Sequence, residues 1–284
     1  MKLETVVSSK REQIVISDSG PMILVGERIN PTGKERIASA LRRRDFSVLC
    51  KEAIDQVEAG ADIVDVNVGV AGLDEVSLFP DVIKAITESV EVPLCFDSNN
   101  PAALEAGLRV YEGRPLLNSV TGEDRSLDAV LPLVKEYDAA VICLPIDENG
   151  IPNSAQERFS IASKIVERAE GMGIPRENIL IDCLAQSVGA DPMAGLITLN
   201  TIKEVREKLS LNTTIGASNG SFGLPDREVT NNAFIAIAIA YGVTCAIADV
   251  RKVRPTVLAV DLLLGRDELA RRYLKGFRER QRYL

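Results

Sequence analysis

The chain has 284 residues and a net charge of −8, and 46% of its residues are hydrophobic while only 4% are aromatic. An acidic surface repels phosphate backbones, so nucleic acid is excluded as the main partner. The complete absence of His excludes histidine bases, Ser-His and Cys-His nucleophile pairs, and the usual zinc or axial cobalt ligand. The length and the aliphatic composition are typical of one large barrel domain.

Apolar, β-prone segments alternate with helical patterns along most of the chain. The predicted strands lie at 22–26, 62–67, 93–97, 115–118, 139–144, 179–182, 213–216 and 243–248. The predicted helices lie near 46–59, 76–90, 101–111, 125–137, 155–172, 196–209, 228–240 and 255–264. Strict alternation implies a parallel sheet, and eight such units close on themselves. The predicted fold class is therefore α/β, a (β/α)₈ TIM barrel.

Both ends of the chain carry patterns outside this alternation. Residues 5–16 contain two β-branched segments around a charged turn, which predicts a hairpin that plugs the bottom of the barrel. In the basic segment 266–284, apolar residues recur at roughly helical spacing, which favours a last helix packed on the barrel over a helix that docks a partner. We therefore predict one domain over 1–284, with a hairpin cap at 1–20 and a helical extension at 266–284.

Several features bear on cellular location. The five Cys form no CxxC motif and lie mostly in apolar segments, which predicts buried, reduced thiols and no metal site. The first residues contain no uninterrupted apolar stretch typical of a secretory signal. The apolar segment 233–248 is too short for a bilayer span and is broken by Tyr241-Gly242, which predicts a helix followed by a strand. We expect a cytoplasmic protein without membrane contact.

Four predicted strands end on a carboxylate or a carboxamide, namely Asp97, Asn118, Asp182 and Asn219. The carboxyl ends of barrel strands are where such folds present their polar sites. Asp accepts hydrogen bonds from N–H groups and Asn both donates and accepts, so the set suits a flat heterocycle edged with amides and amines, such as a pterin. For each residue alone, a helix N-cap is the alternative.

The segment GERIN at 26–30 follows the first predicted barrel strand and so faces the same end. Glu27 and Arg28 either frame the site or pair with each other to hold the loop. Asp249 follows the last strand, and an ion pair with Arg251 or Arg254 is its simplest interpretation.

Other polar residues near the strand ends are less specific. Asp65 and Asn67 are two residues apart and therefore point the same way. A hydrogen-bonded barrel layer without ligand contact is favoured for Asp65. Ser218 begins a loop of small residues that allows backbone amides to approach a ligand. Lys34 and Lys252 are expected on the surface, so no Schiff-base lysine is predicted.

With these residues placed, the chain resembles the pterin-binding barrel methyltransferases, which exchange a methyl group between tetrahydrofolate and a corrinoid protein. The resemblance rests on the order and spacing of GERIN at 26–30, DVNVG at 65–69, FDSNN at 96–100, LNS at 117–119, IDCL at 181–184, GASN at 216–219 and AIADV at 246–250. It implies tetrahydrofolate or 5-methyltetrahydrofolate as substrate, cobalamin supplied by a corrinoid partner protein, a homodimer, and no metal held by this chain.

The resemblance also implies roles for individual residues. Asp97, Asn118 and Asp182 would hold the edge of the pterin ring, and Asn219 would reach its N5 region. The wider set of pterin contacts would include Asn67, Glu27 and Ser218. Because the chain has no His, the assistance at N5 must come from water, from a carboxyl group that binds the pterin or from a network centred on an Asn. We expect Asn219 to supply the hydrogen bond that strengthens as charge changes at N5, which makes it the candidate catalytic residue.

Two other functions stay open at this point. Dihydropteroate synthase shares the barrel and the pterin pocket, but it uses a Lys-bearing loop near the seventh strand and a closing Arg-x-His that this sequence lacks. A non-catalytic folate-binding module would have the same pocket without a corrinoid partner. The loop at 218–227 differs from the corresponding loop of the acetogenic methyltransferases. It is similar to that of enzymes paired with small corrinoid proteins in methylamine-like, betaine or methyl-ether demethylation, so the identity of the partner is open. The direction of methyl transfer is open as well.

Overall fold

A computed structural model describes residues 3–281, and its core is an eight-stranded parallel sheet in the order β10-β3-β4-β5-β6-β7-β8-β9. The strands are β1 Thr5–Ser8, β2 Gln13–Ile16, β3 Ile23–Ile29, β4 Ile63–Val66, β5 Leu94–Asp97, β6 Leu116–Thr121, β7 Ala140–Leu144, β8 Ile179–Asp182, β9 Asn212–Thr214 and β10 Cys245–Ala248. The helices are α1 Glu35–Arg42, α2 Ser47–Glu58, α3 Glu75–Ser89, α4 Pro101–Leu108, α5 Asp124–Glu136, α6 Ala155–Gly171, α7 Ala194–Glu204, α8 Arg227–Tyr241, α9 Val250–Leu263 and α10 Arg271–Gln281.

The barrel closes between its last two strands, β9 and β10, by a few backbone contacts rather than a full ladder. The Ile247 amide donates to the Ile215 carbonyl at 2.9 Å, and the Thr244 amide donates to the Thr213 carbonyl at 3.2 Å. A parallel bridge joins Gly216 to Ile247 further along. These contacts remove the open edges of the sheet, and the predicted (β/α)₈ barrel is confirmed.

The predicted elements differ from the structure in two helical regions. Helix α1 was not predicted, although its sequence ERIASALR places Ile37, Ala38 and Leu41 on a buried face. It is an additional helix in the first βα unit. The helix predicted at 196–209 ends as an α-helix at Glu204 and continues as one π-helical turn to Leu209, and Ser210 then adopts a left-handed conformation with φ 54°.

The hairpin of β1 and β2 packs against the bottom of the barrel. Val7 and Ile16 are fully buried and belong to the same apolar cluster as the residues that line the inside of the barrel, among them Val25 and Leu180. The side chain of Asn212, at the start of β9, ties the hairpin down from inside. Its Nδ2 donates to Thr5 Oγ1 at 3.0 Å and to the Ile16 carbonyl at 2.8 Å.

The carboxyl-terminal extension forms a short 3₁₀ turn and then α10, but it packs differently from the expectation. Three of the apolar residues expected to contact the barrel, Leu269, Leu274 and Phe277, are exposed. The buried contact is Gly276, where an added Cβ would lie only 2.5 Å from Leu258 Cδ1 of α9. Packing of the Leu258 side chain directly against the Gly276 backbone therefore replaces the predicted packing by apolar side chains of the extension. Residues 1–2 and 282–284 of the two predicted end segments lie outside the described residues.

The remaining sequence expectations concern membranes and cysteines. Across residues 3–281, no helix combines the length and the apolar character that a bilayer span requires. The apolar segment 233–248 is the end of α8 followed by β10, as predicted. All five Cys are unpaired, and four of them are buried.

Candidate active site

The carboxyl ends of the strands surround an open, polar pocket of about 380 Å³. Six of the seven predicted site residues line it together: Glu27, Asp97, Asn118, Asp182, Ser218 and Asn219. The seventh, Asn67, lies beside the pocket, where its side chain is hydrogen-bonded to Asp97. The pocket is within the size range of small-molecule sites, and a two-ring heterocycle fits that range.

Asp97 ends β5 and is half-buried on one side of the pocket. Its Oδ2 lies 3.5 Å from Asn30 Nδ2, and Asn67 donates to the same carboxylate. Burial raises the pKa of Asp97 to about 6, with the nearby Glu75 carboxylate adding to the shift and the Asn67 hydrogen bond opposing it. The carboxylate is therefore short of positive partners in the chain, and N–H donors from a ligand would stabilise its ionised form.

Asn118 and Asp65 form a second pair in the wall of the pocket. Asn118 Nδ2 donates to Asp65 Oδ1 at 3.4 Å. Asp65 is almost completely buried, and burial together with the neighbouring Asp97 raises its pKa well above the ordinary value. The sequence-based interpretation placed Asp65 in a layer without ligand contact. It is hydrogen-bonded as expected, but it also lines the pocket.

Asp182 ends β8 on the other side of the pocket and is 8% exposed. Its Oδ1 accepts a hydrogen bond from the Leu184 amide at 2.7 Å, which makes a local turn after the strand. Burial raises the pKa of Asp182 to about 6, against the Leu184 hydrogen bond and the positive charge of Arg158. Like Asp97, this carboxylate is arranged to accept further hydrogen bonds from a ligand.

Asn219 lies at the rim, at the end of a short 3₁₀ turn that follows β9. Its side chain is exposed, and within the described residues the structure records no hydrogen bond for its amide. Gly216 provides the space for this side chain, because an added Cβ would lie 2.8 Å from Asn219 Nδ2. Next to it, Ser218 Oγ donates to Glu27 Oε1 at 2.7 Å and links this turn to the end of β3.

Asp97 and Asp182 end their strands, but Asn118 lies inside β6, which continues to Thr121, and Asn219 lies in the turn after β9. None of the four is a helix cap. The residues at the N-cap positions of the following helices are instead Asn100, Glu123, Met193 and Asp226. Of the two interpretations that the sequence allowed, the geometry therefore excludes capping and leaves the side chains directed to a common pocket.

The alternatives at the first strand are also resolved by contacts. Glu27 frames the pocket, while Arg28 turns to the side and lies 3.7 Å from Asp249 Oδ2. The predicted pairing of Asp249 with Arg251 or Arg254 is wrong. Arg251 contacts Glu52 and Asp55 on α2, and Arg254 donates to the Gly60 carbonyl.

Lys34 is a pocket residue that sequence reasoning assigned to the surface. It is half-buried, and its Nζ donates to the carbonyls of Glu27 at 3.1 Å and Arg28 at 3.2 Å. Burial and the adjacent Arg28 lower the pKa of Lys34. Residues 31–33 form a turn, which Pro31 and Gly33 signal in the sequence. The sequence does not show that the Lys34 side chain then reaches back to the end of β3. Lys34 is the positively charged residue among the described residues that line the pocket. Four carboxylates line the same pocket, those of Glu27, Asp65, Asp97 and Asp182.

The described residues contain no group of three or more His, Cys, Asp or Glu side chains that could hold a metal ion. The pocket carboxylates can accept hydrogen bonds. The pocket offers the acceptors Asp97 and Asp182 on two sides. The carboxamide of Asn118 can donate or accept at the wall, and that of Asn219 can do so at the rim.

Comparison with known proteins agrees with this geometry. Residues 26–249 match the family of pterin binding enzymes, which covers every strand of the barrel in full or in part. The chain belongs to that family. Its predicted resemblance to pterin-binding barrel methyltransferases is confirmed.

Two curated relatives match nearly the whole chain. It is 32% identical over 266 residues to the methylcorrinoid:tetrahydrofolate methyltransferase of Eubacterium limosum, covering 91% of this chain and 97% of that protein. It is also 31% identical to the methionine synthase of Mycobacterium tuberculosis over 89% of this chain, but this covers only 22% of that larger protein.

Solved structures of dihydropteroate synthase share the fold. The enzyme of Xanthomonas albilineans superposes with a TM-score of 0.69 at 17% identity, covering 88% of this chain and 94% of that one. The enzyme of Yersinia pestis superposes with a TM-score of 0.68 at 15% identity, covering 91% and 98%. At these identities the similarity establishes the barrel and carries no statement about the reaction.

Proposed function

We propose that this protein is a methyltransferase that moves a methyl group between a corrinoid and N5 of tetrahydrofolate. The observation that carries the proposal is the convergence of Asp97, Asn118, Asp182 and Asn219 on one pocket in a chain that is related along its length to a methylcorrinoid:tetrahydrofolate methyltransferase. Tetrahydrofolate, or its 5-methyl form, is the substrate held by the barrel.

In this proposal the pterin ring lies across the pocket with its N–H edge toward the carboxylates. Asp97 and Asp182 accept hydrogen bonds from the ring and its amino group, and Asn118 donates to or accepts from the edge between them. Glu27, Ser218 and Asn67 support the rim. Burial raises the pKa of Asp97 and Asp182, and N–H donors from the pterin would stabilise the ionised form of both carboxyls.

The methyl group moves by in-line displacement. Toward folate, the N5 lone pair attacks the methyl carbon, the carbon–cobalt bond breaks with both electrons remaining on cobalt, and a proton leaves N5. In the opposite direction Co(I) attacks the methyl carbon, and N5 is a poor leaving group unless it gains a proton or a strong hydrogen bond. Asn219 lies at the open rim, where its side-chain amide, which has no hydrogen-bond partner among the described residues, can supply that hydrogen bond.

The corrinoid is supplied by a separate protein. The chain has no His for axial cobalt ligation, and the pocket is open toward solvent on the side of Asn219, which leaves room for a large cofactor carried by a partner. The contribution of the barrel is then proximity, because it presents N5 at a fixed position to the incoming methyl group.

Anaerobic incubation with tetrahydrofolate and methylcobalamin tests the proposal, since free methylcobalamin carries the reacting group without the partner. We expect the methylcobalamin spectrum to convert to that of cob(I)alamin while an equal amount of 5-methyltetrahydrofolate forms. A protein that binds tetrahydrofolate but leaves the cobalt spectrum unchanged would instead be a folate-binding module. Formation of dihydropteroate from a pterin pyrophosphate and p-aminobenzoate would identify the synthase alternative.

The homodimer is also proposed. Helix α8 presents the exposed apolar residues Val229, Ala233, Ile237 and Tyr241 along one side, at intervals of about one helical turn. Because a second copy presents the same row, pairing about a twofold axis would cover both.

We further propose a cytoplasmic location, which suits the unpaired cysteines. The division into one domain over 1–284 stays a prediction.

A further inference from the structure

The guanidinium of Arg158 is a buried cation that the proposed mechanism has not used. Arg158 lies in the first turn of α6 and is 0% exposed, the largest fully buried side chain among the described residues. In the described part of the chain its hydrogen-bond acceptors are all neutral oxygens, and no carboxylate forms an ion pair with it. A buried charge without an ion-pair partner is costly, so its presence calls for a reason beyond filling space.

All of its recorded partners are neutral oxygens on two segments. Nη1 donates to the Cys183 carbonyl at 2.9 Å and to the Leu184 carbonyl at 2.7 Å. Nη2 donates to Gln186 Oε1, and Nε donates to the Pro152 carbonyl at 3.0 Å. Four of the five N–H donors are therefore used, and three of them hold the segment that directly follows Asp182.

That segment is the turn that orients the Asp182 carboxylate. Leu184 adopts φ 56°, a left-handed conformation that a leucine rarely takes without support. Its amide donates to Asp182 Oδ1 at 2.7 Å while its carbonyl accepts from Arg158. The guanidinium thus holds the outer side of the turn, and the turn holds the carboxylate that faces the pocket.

We propose that Arg158 is a positioning residue of the pterin site, which fixes the turn after Asp182 and keeps that carboxylate directed at the ligand. The proposal rests on the proposed function, because it assigns the pterin to the pocket. Arg158 acts from behind the strand and does not line the pocket itself.

The charge of Arg158 acts in the same direction as its geometry. Burial raises the pKa of Asp182 to about 6, and the Arg158 guanidinium opposes that shift. Arg158 therefore lowers the pH at which Asp182 takes up a proton, so that the ionised carboxylate can accept pterin N–H groups at neutral and slightly acidic pH. The other titratable groups around Asp182 are Cys183, Cys245 and, across the pocket, Glu27, Lys34, Asp65 and Asp97.

Two substitutions separate the geometry from the charge. Arg158→Lys keeps a cation but loses the fork that holds several carbonyls at once, and Arg158→Met removes both while keeping an elongated side chain. Arg206→Met is the matched control. Arg206 also caps a carbonyl, that of Leu211 at 3.3 Å, and pairs with Asp18 at 2.7 Å, but at the opposite end of the barrel.

The experiment is calorimetric titration with 5-methyltetrahydrofolate from pH 5 to 8, after thermal melting has shown which variants fold. We expect Arg158→Lys to bind about 10-fold more weakly at pH 8, the lower end of the loss seen when outer-shell partners of metal sites are removed. In Arg158→Met the acid limb of binding should also move to higher pH, by about half a pH unit or more. When Asp182→Asn is already present, Asp97 alone sets the pH at which binding is lost on acidification. Adding Arg158→Met to that variant should therefore leave this pH unchanged.

The outcomes are distinguishable. Arg206→Met should lower the melting temperature and leave the affinity and the acid limb unchanged. A folded Arg158→Lys with wild-type affinity at pH 8 would overturn the positioning role, even if Arg158→Met did not fold. Wild-type protein that fails to bind 5-methyltetrahydrofolate at any pH would instead overturn the proposed function on which the role depends.

Discussion

The two ends of the barrel carry similar polar residues in opposite situations. At the bottom, the Asn212 amide is buried and donates to Thr5 Oγ1 at 3.0 Å and to the Ile16 carbonyl at 2.8 Å. At the top, in the loop that follows the same strand, the side-chain amide of Asn219 is exposed on the pocket rim. It has no hydrogen-bond partner among the described residues. The side-chain N–H donors of Asn212 are satisfied by the chain itself, whereas those of Asn219 are available to a ligand.

The carboxylates repeat this contrast. Asp18 pairs with Arg206 at 2.7 Å below the barrel. Asp97 and Asp182 above it have no ion pair among the described residues, and burial raises the pKa of each to about 6. Carboxylates that are removed from water without an ion pair cost stability, which is the cost that the proposed binding site at the top of the barrel implies.

The largest expected effect at the top is on the reaction rate. Asn219→Ala should slow methyl transfer on the order of 10²-fold, the typical effect of removing one preorganised donor, while folate affinity changes little. Single-turnover transfer from methylcobalamin at saturating tetrahydrofolate measures the rate, and calorimetry measures the affinity. An unchanged rate at saturation with weakened binding would make Asn219 a binding residue only.

The pocket carboxylates should determine affinity. Replacing Asp97 or Asp182 with Ala should weaken binding of 5-methyltetrahydrofolate by about 1.5 to 3 kcal/mol, the range for hydrogen bonds that involve a charged group. Isothermal calorimetry at pH 7.5 measures the change. If both variants bound folate as tightly as wild type, the pterin would not lie between these residues.

The bottom of the barrel should respond in stability instead. Asn212→Ala leaves two buried acceptors without their donor and should lower the free energy of unfolding by about 1 to 3 kcal/mol. Urea denaturation measures this change, and folate affinity of the folded variant should be unaltered. Loss of folate affinity without loss of stability would contradict the separation of the two ends.

Acidification should move binding and stability in opposite directions. A carboxyl whose folded pKa is raised to about 6 stabilises the folded state below its ordinary pKa, and this contribution is lost as the pH rises through about 6. Lowering the pH from 7 to 5 should therefore stabilise the free protein, because both carboxyls become protonated. The same protonation should weaken folate binding roughly 10-fold for each carboxylate that must be ionised in the complex. Melting curves and calorimetry across this range, with an Asp97→Asn, Asp182→Asn control, measure both trends.

The sequence predicted the parts of the site that follow from strand ends. Asp97, Asn118 and Asp182 each end a β-prone segment, and parallel strands bring such ends to one side of a barrel. Contacts made by returning loops or by the backbone were not predictable in this way. Lys34 reaches the pocket because its loop folds back onto two carbonyls, and Arg158 binds carbonyls whose positions no residue pattern reports.

Ion pairs between residues that are far apart in the chain could not be predicted from the sequence either. Asp249 was paired with the nearest arginines in the chain, but the closure of the barrel brings β10 beside β3 and places Arg28 next to it. Residues near each other in sequence are poor guides to ion pairs in a closed barrel, because the first and last strands are neighbours.

A crystal structure with 5-methyltetrahydrofolate tests the central claim most directly. The account predicts the pterin ring in the pocket at the carboxyl end of the strands, with its N–H edge on Asp97, Asn118 and Asp182 and with N5 facing Asn219. Folate bound elsewhere, for example in the groove between α2, α9 and α10 that Arg251 and Phe277 line, would contradict it.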